Sequence, residues 1–144
     1  MINSGRYVND SMGRYIGKKV VKKIISQGKN ILGAHVLVMG MTFKENVSDI
    51  RNSKVADIIN EFKDFGAEVD VMDPFASPLE VLQEYGIRLV ERPGKKYDAV
   101  VVAVAHTTYL KLDESYFMSI TNEHAVLADV KGVYRGSIHQ MIYW

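Results

Sequence analysis

The sequence predicts an α/β fold: a three-layer sandwich with a mainly parallel sheet, preceded by a long helix. Three observations predict it. Asp98-Ala-Val-Val-Val-Ala-Val104 is a continuous apolar run, as a strand buried on both faces requires. Strand-like and helix-like segments alternate in the order helix, then β-α-β-α-β-β-α-β, which implies right-handed crossovers with helices on both sheet faces. The first strand breaks at Gly40 into a charged loop, and in open α/β sheets ligands bind beyond the carboxyl ends of the strands.

The elements follow in order. Arg6 to Ser26 reads as a helix, with Val8, Met12, Ile16, Val20 and Ile24 every fourth residue and Tyr15, Val21 and Ile25 beside them. Gly13 and Gly17 weaken that helix or admit a close neighbour. Because such a helix exceeds what a small sheet needs, it is expected to pack on a preceding domain or a second subunit. Gly28 and Gly33 bracket the turn into a strand from Ala34 to Met39, and the loop from Gly40 to Asn52 follows. Ser53 is placed to cap a helix running to Phe65, with Gly66 as its stop. Glu68 to Met72 is a Val-rich strand ending at Asp73-Pro74, and Pro78 to Tyr85 is a short helix closed by Gly86. Ile87 to Val90 is expected as a short edge strand, His106 to Leu110 as loop, Asp113 to Ile120 as a helix capped by Asp113, and Ala125 to Val130 as the last strand. Lys131 to Trp144 reads as loop and tail. The one plausible boundary, near Gly28 to Gly33, divides a helix (1–28) from a sheet domain (29–144).

Composition bounds the function. A chain of 144 residues with 47% hydrophobic content is one ordinary domain with a real core. A net charge of +1 gives no global attraction to nucleic acid or membrane. The basic run Lys18, Lys19, Lys22 and Lys23 carries no aromatic platform, so a solvated face is the better reading. The sequence has no cysteine, which removes disulfides, thiolate metal sites and a cysteine nucleophile from this chain and fits a reducing compartment. The apolar run Ala99 to Ala105 is far too short to span a bilayer, and a cytoplasmic protein is the expectation. His35, His106, His124 and His139 lack metal-ligand spacing.

The chemistry concentrates after the first strand. A dinucleotide fingerprint would place G-x-G-x-x-G there, but Gly40-Met-Thr-Phe-Lys44 has a single glycine. The domain is therefore Rossmann-like without that fingerprint. Lys44 and Arg51 instead suggest an anion site, Lys as a point charge and Arg as a two-pronged donor. The bland alternative pairs them with Glu45 and Asp49 in surface salt bridges of little worth, and the residues alone leave the two readings even. Phe43 is either a core plug or a lid against a ligand ring. Asp73 is better read as a turn former than as a ligand contact, and Lys131 and Arg135 are weaker edge cations. Asn9 and Asp10 near the start of the first helix read as capping or first-turn residues, and Arg6 and Arg14, which flank them, face either solvent or an anion.

Gly40-Met-Thr-Phe-Lys-Glu-Asn-Val-Ser-Asp-Ile-Arg-Asn-Ser53, followed by Asp57-Ile-Ile59, resembles the start of the C-terminal domain of UDP-glucose/GDP-mannose dehydrogenases, closest to the bacterial branch acting on UDP-N-acetyl-hexosamines for surface polysaccharides. Val71-Met-Asp-Pro74 and Asp129-Val-Lys-Gly-Val-Tyr134 resemble later landmarks of that domain, and Gly5-Arg-Tyr-Val-Asn-Asp-Ser-Met12 a segment of the helix joining the two halves of those enzymes. The resemblance implies an enzyme that oxidises the sugar C6 alcohol to a carboxylate in two NAD-dependent hydride transfers, through a cysteine thiohemiacetal. It implies that NAD binds mainly to an N-terminal half and the UDP part of the substrate to this one. By the same resemblance Phe43 and Lys44 face the substrate, Arg51 reaches the cofactor, and Lys131 is a substrate-side contact. Arg6, Asn9 and Asp10 lie in a helix that forms a homodimer and reaches the partner's substrate. The chain lacks the cysteine and the fingerprint, so it is expected to contain no catalytic residue and to oxidise nothing alone. A dimerising structural module without ligand is the competing expectation, and a flavodoxin-like or receiver-like signalling domain fits only loosely.

Overall fold

The computed structural model describes the backbone of residues 4–144 and the side chains from residue 11 onward. Helix α1 (Ser4–Ser26) leads into β1 (His35–Met39), α2 (Val55–Asp64), β2 (Glu68–Met72), α3 (Pro78–Tyr85) and β3 (Tyr97–Val102). A 3-10 turn (Thr107–Lys111), α4 (Glu114–Ser119), β4 (Thr121–Asp129) and β5 (Ile142–Tyr143) complete the chain. The strands form one parallel sheet in the order β2-β1-β3-β4-β5.

Alternate residues of β1 feed two cores. Val36 and Val38 join Ile16, Val20, Ile59 and Phe62 on the face covered by α1 and α2. Leu37 and Met39 join Tyr97, Tyr109, Phe117 and Tyr134 on the opposite face. The sheet is thus the middle of three layers, as the apolar run of β3 required.

Helix α1 does not await an outside partner for its whole stripe. Ile16, Val20, Val21 and Ile24 are buried against the domain itself, whereas Met12, Tyr15 and Ile25 remain 45%, 52% and 50% exposed; Val8 lies outside the described side chains. The two helix glycines explain the seating. A Cβ on Gly13 would lie 2.7 Å from Asp57 Cβ and 2.8 Å from the Lys54 carbonyl oxygen, and one on Gly17 would lie 2.7 Å from Glu61 Cβ. Both glycines therefore permit a close approach of α1 to α2.

Four other expectations are corrected. Helix α2 starts at Val55 with Lys54 as N-cap; the Ser53 hydroxyl accepts from the Val55 amide at 3.3 Å without serving as the cap. Ile87–Val90 makes only an isolated parallel bridge, Val71 to Leu89, rather than a strand. Strand β4 begins at Thr121, because an irregular register between Tyr97 and Ala99 lets the polar, exposed Asn122, Glu123 and His124 enter the strand with His124 at φ 58°. The tail is ordered into β5, and beyond it the Trp144 amide donates to the Leu127 carbonyl while the Trp144 carbonyl accepts from the Asp129 amide.

Candidate functional site

Beyond the carboxyl ends of β1, β3 and β4 lies a cleft of about 340 Å³. It sits where β1 is followed on one side by β2 and on the other by β3, the switch point at which open α/β sheets hold ligands. Its walls are Thr42, Phe43 and Lys44 after β1, Ala103 and Val104 after β3, Val130 and Lys131 after β4, Lys54 and Val55 at the start of α2, and Met12 and Ile16 of α1. Among the described lining residues three are lysines and none is acidic. The amino end of α2 adds its partial positive charge. In a chain of net charge +1 this is a local concentration of positive potential over an apolar floor. Such a cleft suits a diphosphate joined to a ring system.

The sequence candidates divide accordingly. Phe43, 57% exposed, is no core plug, and Lys44 and Lys131 line the cleft with it. Among the described residues no carboxylate lies within ion-pair distance of the Lys44 ammonium, so the pairing with Glu45 does not form. Arg51 does form its bland pair. Its Nε and Nη2 donate to the two Asp49 oxygens at 3.1 Å each, and the guanidinium holds the Asp49 carboxyl below its ordinary pKa. Arg51 lies outside the cleft, in a shallow recess shared with Phe43, Asp49 and Asn52. The side chains of Arg6, Asn9 and Asp10 lie outside the described residues. Of the lining residues, Met12 reads in the sequence only as part of the α1 apolar stripe, and Lys54 carries no signal beyond its place beside the α2 start.

Gly40 takes φ 103° and passes so near Val104 that a Cβ would lie 2.6 Å from Val104 Cβ. Its role is close packing of two loops, not a dinucleotide cradle. The loop it opens is fixed by side chains from elsewhere. Asp73, buried at the end of β2, accepts from the Met41 and Thr42 amides at 2.6 and 3.0 Å and from the Phe75 and Ala76 amides at 2.7 and 3.2 Å. The turn reading of Asp73 holds, and the residue also seats the β1 loop. Burial works to raise its pKa, but hydrogen bonds from His106, Met41 and Phe75 outweigh it and hold the carboxyl below its ordinary value. Its stabilisation is therefore complete above the unfolded value of about 3.9 and is lost as pH falls through the lower folded value. Asp73→Asn is expected to unfold at lower denaturant at pH 7, with its deficit against the parent shrinking at pH 3. An equal deficit at both pH values would contradict this.

The other end of the loop is held by Tyr85. Its hydroxyl donates to the Ile50 carbonyl at 2.5 Å and accepts from the Ser53 amide at 3.2 Å. Tyr85→Phe is expected to cost roughly 1–2 kcal/mol and to speed hydrogen exchange at the Ser53 amide. Asp129 plays the corresponding part under Lys131. It accepts from the Val133 and Tyr134 amides at 3.0 and 2.7 Å and from the Tyr143 hydroxyl at 2.6 Å, folding the turn that presents the lysine.

A second cavity, about 520 Å³, borders the other face at Met39, Met72, Leu112 and Tyr116. Among its described lining residues the charged ones, Asp73 and Glu91, are acidic, so an anion is disfavoured there. Among the described residues no group of acidic residues and histidines could hold a metal, and no helix is long and apolar enough to cross a membrane.

Fold and cleft together define the class: a Rossmann-like α/β domain, without a dinucleotide cradle, carrying a cationic ligand cleft at the carboxyl edge of its sheet. Comparison with known proteins gives the family. Residues 37–136 match the UDP binding domain of the UDP-glucose/GDP-mannose dehydrogenase family. The chain is 38% identical over 134 residues to a UDP-N-acetyl-D-glucosamine 6-dehydrogenase of Salmonella typhi and 39% identical over 132 residues to one of Pseudomonas aeruginosa. These alignments cover 92% and 91% of this chain and 32% and 31% of those proteins, so it spans about a third of their length. The UDP-N-acetyl-mannosamine dehydrogenase Cap5O from S. aureus superposes with a TM-score of 0.74 at 27% identity, over 97% of this chain and 32% of that one. The chain therefore belongs to the UDP-glucose/GDP-mannose dehydrogenase family, as its UDP binding domain.

Proposed function

We propose that the cleft binds the UDP portion of a UDP-N-acetyl-hexosamine or UDP-glucose for an NAD-dependent nucleotide-sugar 6-dehydrogenase of polysaccharide biosynthesis, acting in the cytoplasm. The observation that carries this is the placement of Lys44 and Lys131 around an apolar floor, with no acidic residue among the described lining residues. In this reading the lysines neutralise the diphosphate, Phe43 covers a ring, and Met12, Ile16 and Val104 exclude water. Each charge-assisted contact is worth about 1.5–3 kcal/mol.

In the complete enzyme a bound NAD would supply the hydride acceptor. The residues present here do not fit it as a cradle, because Gly40 is packed on Val104, so Arg51 is its one proposed contact in this chain. The Arg51–Asp49 pair is exposed and can open at small cost. The sequence has no cysteine for the covalent step that the resemblance implies, so the chain binds substrate and is inactive alone. Arg6, Asn9 and Asp10 are proposed to reach a partner's substrate across a homodimer built on α1. A purely structural module is the weaker reading, since it leaves the cationic lining without a purpose.

Calorimetric titration of the chain with UDP-N-acetylglucosamine tests the proposal. Saturable heat that competes with UDP is expected, and no binding at millimolar ligand would overturn it.

A further inference from the structure

The loop that carries Phe43 and Lys44 has no regular secondary structure, yet it is bonded at its start and past Lys44 to the buried side chains of Asp73 and His106. At its start, the Met41 and Thr42 amides donate to Asp73. Past Lys44, the Asn46 amide donates to His106 Nδ1 at 3.0 Å. Between them the Thr42 hydroxyl donates to the Lys44 carbonyl at 2.9 Å, and the Phe43 amide donates to the Asp49 carbonyl at 2.7 Å. Asn46, at φ 60°, adds a reciprocal pair with Thr107, donating from Nδ2 at 2.8 Å and accepting from the Thr107 amide at 2.9 Å.

His106 joins the two ends. Because Nδ1 accepts from an amide, the ring proton sits on Nε2, which donates to Asp73 Oδ2 at 2.9 Å. The ring is fully buried, with Phe75 at 4.6 Å and Tyr109 at 5.4 Å between centroids. Asp73 follows β2 and His106 follows β3, so the two come from the loops after the strands on either side of β1. Neither lines the cleft.

We propose that Asp73 and His106 are the positioning pair of the cleft, fixing the Met41–Asn46 loop so that Phe43 and Lys44 are set before ligand arrives. This rests on the reading of the cleft as the UDP-sugar site. The chemistry is one of ordering. A loop without helix or strand would lose backbone freedom on binding, and that loss subtracts from affinity. Here buried side chains impose the order during folding, so the ligand meets a preformed surface. The pair touches no ligand and acts only through the loop.

Three His106 variants divide the roles. His106→Gln can still donate to Asp73 but offers no acceptor at the Nδ1 position. His106→Asn can accept from the Asn46 amide but does not reach Asp73. His106→Ala does neither. Melting temperature, amide hydrogen exchange without ligand and affinity for UDP-N-acetylglucosamine are measured on each, well below its melting temperature. In His106→Ala, exchange at Asn46 is expected to rise at least about tenfold, with affinity for the UDP-sugar falling by a similar factor. His106→Asn is expected to recover affinity more fully than its melting temperature, because a restored clasp on Asn46 is what the ligand senses.

A folded His106→Ala or His106→Gln variant that binds like the parent, or affinities that merely follow melting temperature, overturn the proposal. If His106→Ala does not fold, the Asn and Gln variants decide by the same comparison. If the parent binds no UDP-sugar, the cleft reading fails, and positioning for that ligand fails with it. The exchange rates then still show, independently, whether the pair holds the loop.

Discussion

Lys44→Ala is expected to weaken UDP-sugar binding by about ten- to a hundredfold, the loss of one charge-assisted contact of roughly 1.5–3 kcal/mol. The side chain lines the cleft, and no described carboxylate competes for it. Its backbone is held by Thr42, so the substitution removes the ammonium without releasing the loop. Arg51→Ala is the matched control. Its guanidinium is already engaged with Asp49 and lies outside the cleft, so UDP-sugar affinity should change by less than about twofold, as expected for an exposed pair. Isothermal calorimetry on the two variants separates them. Equal losses would mean that the cleft boundary is drawn wrongly, and no loss in either would remove Lys44 from the site.

Gly13→Ala is expected to lower the unfolding free energy by about 1–2 kcal/mol, against the usual trend. In an exposed helix the same change gains up to about 1 kcal/mol in helix propensity. Here the new methyl group would lie 2.8 Å from the Lys54 carbonyl oxygen and 2.7 Å from Asp57 Cβ, and backbone cannot swing aside as a side chain can. Overpacking of this kind costs about 1–3 kcal/mol and forces the helices apart. Because Met12, Gly13 and Lys54 all line the cleft, the shift should also reduce ligand affinity. Denaturant unfolding and calorimetry on the same protein measure both. A stabilised Gly13→Ala variant would show that α1 is only loosely laid on α2.

How much of this was legible in the sequence depends on range. Glu68–Met72 and Pro78–Tyr85 have the bounds their residues suggest, since alternation or a Ser77 cap with a left-handed Gly86 stop is local information. The start of β4 was not readable, because its first residues are exposed and out of regular register with β3. The two-residue β5 carries too little pattern to register. In the cleft, the β1 loop announced itself through Phe43, Lys44 and Arg51, but whether each cation would pair nearby depended on rotamers, and the two went different ways. The motif residues Asp73 and Asp129 were visible as landmarks. Their common physical role, a carboxylate at a strand end turned inward to hold the amides of a cation-bearing loop, needs contacts such as Met41 with Asp73, 32 positions apart. His106 gave no signal at all. Its partners Asn46 and Asp73 lie 60 and 33 positions away, and in sequence it is an isolated histidine after an apolar run.

The most direct measurement is an amide chemical-shift titration of the isotope-labelled chain with UDP-N-acetylglucosamine, which reports position even when affinity is weak. The largest shifts are expected on Phe43, Lys44, Val104, Val130 and Lys131 and at the start of α2, with the cavity at Met72 and Tyr116 silent. Shifts centred on that opposite cavity, or scattered without reference to Lys44, would contradict it.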